Sequence, residues 1–324
     1  MACFGASTIN PVLRYLARRI LLFVLTLIGV AVVVAALLRL VPGDPAAVFL
    51  GENATPEGVA ELRHALGLDA PWPLQLGRYL SGVARGDLGD SLFQRVPVST
   101  LIGERLPATL ELALAALALG VALGGILGVV SALKRGTLAD LAVMIFAQLG
   151  VSMPVFWLGI LLTALFAVHW GFLPAVGRGS LAHLVLPALA LGVGLAAIAS
   201  RLVRASLLET LREPYVHAAR ARGLSDVRVV AHALRNALVP VVSVLGVRFG
   251  ALLGGSVLTE NVFGWPGLGS LAVTAISQRD FPLIQGIVFV FASIFLGLHL
   301  AIDLAYGVLD PRIRIEAGGG SSAT

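Results

Sequence analysis

Ser152 stands in Gly150-Val-Ser-Met-Pro154, inside an apolar run, and the same chain carries His169, His183 and His299. A serine and a histidine within a bilayer are the ingredients of an intramembrane hydrolase. A nucleophile needs its base within hydrogen-bond reach, however, and no spacing here enforces that. Pro154 also disturbs the helix just past the serine. A kinked, pore-facing helix is the better reading, with Met153 and Phe156 beside Ser152 as further candidates for a translocation path. Arg248 and Asp303 also fall in or near apolar runs, where a charge is costly and faces protein or water. They read first as a structural ion pair and second as path residues. His299 lies one turn before Asp303 and shares its face. The histidines are scattered without paired ligand spacing, and Cys3 is the single cysteine, so neither a metal site nor an internal disulfide is expected.

The third set is basic and alanine-rich: Tyr215-Val-His-Ala-Ala-Arg-Ala-Arg-Gly-Leu224, between two apolar runs. Small Ala218, Ala219 and Ala221 let a foreign surface approach a helix closely, and Gly223 ends the helix and turns the chain. A basic helix lying on anionic lipid would carry bulky apolar residues on one face. This stretch has few, which suits a protein cleft better. Lys134 is the one lysine and no glycine-rich phosphate loop precedes it, so any ATP used must be bound and hydrolysed by a partner.

The elements that position these residues are membrane spans. With 58% hydrophobic and 13% charged residues among 324, and a mean hydropathy of +0.94, a soluble globular fold is excluded. Six runs approach the ~20 residues needed to cross a bilayer: Ile20–Leu38, Ala108–Leu133, Leu141–Val168, Leu184–Ser200, Ala237–Leu258 and Ile284–Ile302. The fourth is the shortest and carries Pro187. The first is too long for a removable signal peptide and stays as an anchor. Arg14, Arg18, Arg19, Lys134, Arg135, Arg201, Arg204, Arg212, Arg220, Arg222, Arg228, Arg235, Arg312 and Arg314 fall on one side, fourteen of the 23 basic residues. That side, with both termini and the Tyr215 segment, reads as cytoplasmic. The net charge of +5 therefore marks topology, and with no basic-aromatic patch nucleic acid is not an expected partner.

Between the first two spans, residues 39–107 read as an outer cap. Pro56 to Leu66 has helical spacing ended by Gly67-Leu-Asp-Ala-Pro71, Gln75–Val83 forms a second helix, and Gly86-Asp-Leu-Gly-Asp-Ser91 a turn. The tail from residue 316 is glycine- and serine-rich and reads as disordered. Glycines at 120, 124 and 128, and at 246, 250 and 254, make smooth stripes for close helix packing, within the chain or against a second subunit. No internal repeat supports an inverted-repeat secondary transporter.

The Tyr215 segment resembles the "EAA" loop of ABC importer permeases, in the form typical of dipeptide/oligopeptide permeases. The resemblance covers nearly the whole chain. It continues through Gly67-Leu-Asp with Pro71, Gly86-Asp-Leu-Gly with Ser91, Leu106-Pro-Ala-Thr-Leu-Glu-Leu112, Gly150-Val-Ser-Met-Pro154, Glu260-Asn-Val-Phe263, Pro266-Gly-Leu-Gly269, Arg279-Asp280 and Asp310-Pro-Arg-Ile-Arg314. Two positions depart from the family pattern: His217 stands where the general loop has glutamate, and His299 where asparagine is usual.

The resemblance implies an all-α polytopic membrane protein with six transmembrane helices of the type I importer kind and a small helical outer domain. Residues 1–19 would be cytoplasmic, 20–38 the first span, 39–107 external, and 108–315 the permease core with its coupling loop at about 201–236. Tyr215, Ala218, Ala219, Arg220, Ala221, Gly223 and Leu224 would form the coupling helix docked on an ATPase. Glu260, Phe263, Pro266 and Gly267 would meet an external substrate-binding protein. The implied partners are a second permease subunit, two ATPase subunits holding ATP and Mg, the binding protein and the inner-membrane bilayer, with no cofactor on this chain. Short peptides are the expected substrates, and nickel chelates, glutathione or another solute the alternative. A stand-alone secondary transporter or an intramembrane hydrolase are the distant alternatives.

Overall fold

The computed structural model describes residues 11–40, 44–51, 54–65 and 67–309. Cys3, Leu66, the 310–314 motif and the tail lie outside the described residues, as does the side chain of Asp303. Among the described residues every regular element is a helix, and Asp90 and Pro97 make an isolated bridge. The chain divides into two compact units, residues 1–99 with 278–324, and residues 100–277.

In the first unit, α1 (Pro11–Leu40) packs against α12 (Phe281–Leu309), and Gln285 donates to the Val34 carbonyl at 2.9 Å. Between α1 and residue 99 lie α2 (Pro45–Leu50), α3 (Pro56–Ala65) and α4 (Trp72–Ala84). The sequence foreshadows α3 and α4 but not α2. Arg63 of α3 ties the segment together by reaching Asp44, the N-cap of α2, at 2.7 Å and Asp69 at 3.2 Å. Gly67, at φ +64°, closes α3: its N–H bonds His64 and that of Leu68 bonds Arg63. Only glycine takes this left-handed turn cheaply. The Gly86 turn is locked from a distance. Asp280 is fully buried and accepts from the Ser91 hydroxyl, the Leu92 and Phe93 N–H groups, and Leu283 in the first turn of α12.

The second unit is organised by α8 (Leu181–Thr210), against which α6 (Leu138–Ser152), α7 (Val155–Leu162) and α10 (Asp226–Val262) pack. α5 (Val98–Leu133) lays Gly120, Gly124 and Gly128 on the same helix. A β-carbon on Gly124 would stand 2.5 Å from that of Ala199 and 2.7 Å from the Ala196 carbonyl. The first glycine stripe is therefore intrachain packing. Gly254, in the second stripe, faces open space.

Among the described residues, five helices are long and apolar enough to cross a membrane, and a sixth crossing requires counting a broken pair. Three expectations need correction. The run Leu141–Val168 is two helices bent by 110° at Met153–Pro154, and its second half relaxes into a π-helical turn, Thr163–His169. The fourth span is not short: α8 runs 30 residues, keeps Pro187 inside, and has half its apolar window buried. Its apolar pattern stops near Ser200, but Arg, Leu and Ala sustain the helix beyond it. The expected loop at 201–236 likewise consists mostly of the continuations of α8 and α10, leaving α9 (Pro214–Ala221) between them.

Candidate functional site

α9 is bounded by a proline and a glycine. Pro214 starts it, since proline at the first helical position gives up no needed hydrogen bond. Gly223, at φ +77°, ends it: its N–H bonds Arg220 at 2.9 Å, and Leu224 bonds Ala219 at 3.3 Å. These two bonds form the Schellman pattern that satisfies the last carbonyls. Val216 is buried in a cluster with Ala132 of α5, Leu207 of α8, and Val229, Ala233 and Ala237 of α10; Ala219 and Leu224 pack at its edge. Three long helices thus converge under one face of α9.

The opposite face is bare. Tyr215, His217, Ala218, Arg220, Ala221 and Arg222 are exposed, and Asn236 donates to the Tyr215 hydroxyl at 3.0 Å. Tyr215, Ala218 and Ala221 recur at helical spacing, so the exposed ridge is low and flanked by arginines. Ala219 belongs to the inner face, unlike Ala218 and Ala221.

A second constellation surrounds Glu260, which is fully buried. Its Oε1 accepts from Thr109 at 2.8 Å and Ser256 at 3.1 Å, and its Oε2 from the Ser270 N–H at 3.0 Å. Burial raises this carboxyl above its ordinary value, outweighing the downward pull of Thr109, Ser270, Ser256 and Gly269. A β-carbon on Gly267 would sit 2.5 Å from the carboxylate, which explains the glycine there. Trp265 is buried alongside and donates its indole N–H to the Ala108 carbonyl at 2.8 Å. Above it, Arg178 lies 5.8 Å from the indole ring and bonds Glu111 through Nε at 2.9 Å.

Glu260, Phe263 and Gly267 are thus buried where they were expected to offer contacts, and of that group only Pro266 is half-exposed. An open cleft of about 630 Å³ is lined by Glu111, Arg178, Ser180, Leu181 and Pro266. Sequence reading missed Glu111 and Arg178, whose pairing across 67 residues leaves no local pattern.

Ser152 and Phe156 are exposed on either side of the break, with Met153 half-buried at it. Gln148 donates to the Ser152 hydroxyl at 3.5 Å, and among the described residues no histidine bonds it. His183 bonds Ser180 instead, and His299 stacks on Phe295 with its Nδ1 3.0 Å from that residue's carbonyl. Arg248 is exposed on α10, which at 37 residues spans ~55 Å, well beyond a ~30 Å hydrocarbon core.

Residues 124–315 match the family described as binding-protein-dependent transport system inner membrane component, and residues 12–113 match the N-terminal part of such membrane components. The chain belongs to this family of ABC importer permeases. The permease is 42% identical over 332 residues to the di/tripeptide transport system permease protein DppB of Pseudomonas aeruginosa, across 93% of this chain and 99% of the relative. It is 40% identical over 335 residues to the dipeptide transport system permease protein DppB of Escherichia coli, across 93% and 99%. It is 41% identical over 305 residues to the glutathione transport system permease protein GsiC of Salmonella paratyphi A, across 94% and 100%. A solved amino acid ABC transporter with histidines shares the fold at a TM-score of 0.53 and 19% identity, over 65% of this chain and 95% of that one. This permease is therefore a multi-pass inner-membrane transport component of the type I fold, not an enzyme, and the hydrolase and secondary-transporter readings fall away.

Proposed function

We propose that this permease forms one half of the translocation pathway of an ATP-driven importer of short peptides. A second, related permease completes the pathway, two ATPase subunits bind and hydrolyse ATP with Mg, and an external binding protein delivers the substrate. The observation that carries the coupling role is α9, a capped helix whose inner face rests on three long helices while its outer ridge is small, basic and bare. A groove of the ATPase takes that ridge, and closure of the ATPase pair moves α5, α8 and α10 through Val216. Both termini and α9 lie in the cytoplasm, as the arginine distribution favours. The cleft rimmed by Glu111, Arg178 and Pro266 receives the binding protein. Ser152, Met153, Phe156, Arg248, His299 and Asp303 are the candidates for the path itself.

The names of the relatives support small peptides as the substrate class, since glutathione is itself a tripeptide. The docking role is tested with Ala218→Arg, which fills the outer ridge without touching the cluster beneath. The variant inserts in the membrane but loses ATPase co-purification and uptake; normal import by it contradicts the docking role. The substrate is tested by isolating the binding protein with its bound solute. Recovery of di- or tripeptides supports the reading, and a nickel chelate in their place overturns it.

A further inference from the structure

Asp140, in the first turn of α6, is 6% exposed and held from three directions. The Ser131 hydroxyl at the end of α5 donates to Oδ1, and the Gly136 N–H donates to Oδ2 at 3.0 Å. Arg204 of α8 grips both oxygens, Nε to Oδ1 at 2.8 Å and Nη2 to Oδ2 at 2.9 Å. A fork-on-fork pair of this kind fixes orientation as well as distance.

Its surroundings give the pair a direction. Leu207, three residues after Arg204 on the same face of α8, lies in the cluster that buries Val216 of α9. Arg204 also borders an open cleft with Arg135, Glu209, Arg212 and Glu213, and Glu213 is the N-cap of α9. On the other side of the pair, α6 runs from Asp140 to the 110° break at Met153–Pro154. One turn of α8 therefore holds the docking helix through Leu207 and the broken span through Arg204.

We propose that Asp140 is a positioning residue that relays movement of α9 to the broken span α6–α7. The proposal rests on the reading of α9 as the ATPase contact. An inert staple would not need charge, because apolar residues of similar volume often replace a buried ion pair without loss of stability. An apolar contact slides, whereas a bidentate pair keeps α6 and α8 in one register while both move.

The test uses the complete importer in proteoliposomes, with ATP hydrolysis and peptide uptake measured in the same vesicles. Asp140→Asn keeps the shape and breaks the ion pair. Its complex assembles and hydrolyses ATP, while uptake per ATP falls by roughly tenfold, within the usual range of coupling between sites. Arg204→Lys keeps the charge but loses the fork, and lowers the same ratio by a smaller factor. An unchanged uptake-to-ATP ratio in both variants overturns the relay, whether complexes form in full or in reduced amount, because a purely structural pair changes quantity and not ratio. Ala218→Arg in parallel separates the two ideas. If it abolishes ATPase binding while Asp140→Asn transports at the normal ratio, the relay alone fails. If Ala218→Arg leaves ATPase binding and uptake normal, the docking reading fails and the relay with it.

Discussion

Thr109 donates its hydroxyl to Glu260 at 2.8 Å across 151 residues of sequence, and its oxygen accepts the Leu268 N–H at 2.7 Å. One small side chain thus joins α5, the end of α10 and the start of α11 (Leu268–Ser277). Glu260→Ala leaves the Thr109 hydroxyl and the Ser270 N–H short of an acceptor, while Ser256 keeps the Leu253 carbonyl, a cost of about 1–3 kcal/mol in a buried site. Glu260→Gln is milder, because one amide oxygen still accepts. Thermal unfolding of the detergent-solubilised permease reads both, with Ala the less stable.

The same carboxyl carries a pH dependence with a definite sign. Its folded value lies above the ordinary 4.5, so the folded state holds the proton more tightly than the unfolded chain. That contribution is complete below pH 4.5 and is lost as pH rises through the raised folded value. Unfolding midpoints measured on either side of this window decline more for the native chain than for Glu260→Gln.

Gly223 supplies the left-handed turn and an N–H donor at the end of α9. Gly223→Ala strains the turn by roughly 1 kcal/mol, and Gly223→Pro also deletes the bond to Arg220. Insertion in the membrane persists in both. Uptake by the reconstituted importer falls in the order Gly, Ala, Pro, and equal uptake by the three contradicts a role for the turn.

The glycine stripes separate by environment. Gly124→Val drives a branched side chain into Ala199 and the Ala196 carbonyl, and overpacking of this kind costs ~1–3 kcal/mol or more. Gly254→Leu meets open space in the single chain, so the isolated permease keeps its unfolding midpoint. If that face is the seam with the second permease, the same variant reduces co-purification of the partner.

Tyr79 is a small test of polar accounting. Its hydroxyl is buried without a hydrogen-bond partner among the described residues, and burial pushes its ionisation up to about 12. Tyr79→Phe removes the orphan and leaves the chain at least as stable, by up to about 1 kcal/mol. A clear loss in the unfolding midpoint contradicts this.

Much of this architecture is legible in residue order because membrane helices announce themselves by unbroken apolar length, and α9 by glycine and small residues at helical spacing. Gly67 and Gly223 end their helices as their positions imply. What escapes is long-range and polar. Nothing local joins Arg204 to Asp140, Arg178 to Glu111, or Thr109 to Glu260, since each pair is made by segments far apart in the chain meeting in space. The family resemblance implies a contact surface at 260–269, yet the glycines there make room for a buried carboxylate. The break at Pro154 was visible as a proline, but its 110° angle depends on the packing of α7 against α8 and α10.

The central claim is that the outer ridge of α9 meets a cytoplasmic ATPase. Single cysteines at positions 216 and 218, in a Cys3→Ser background, test it by cross-linking to the ATPase subunits in the assembled importer and by labelling with a membrane-impermeant reagent in intact cells. The account predicts a cross-link from Ala218→Cys, little from Val216→Cys on the buried face, and no labelling of either from outside. Labelling of Ala218→Cys in intact cells, or an assembled importer in which it yields no ATPase adduct, contradicts the account.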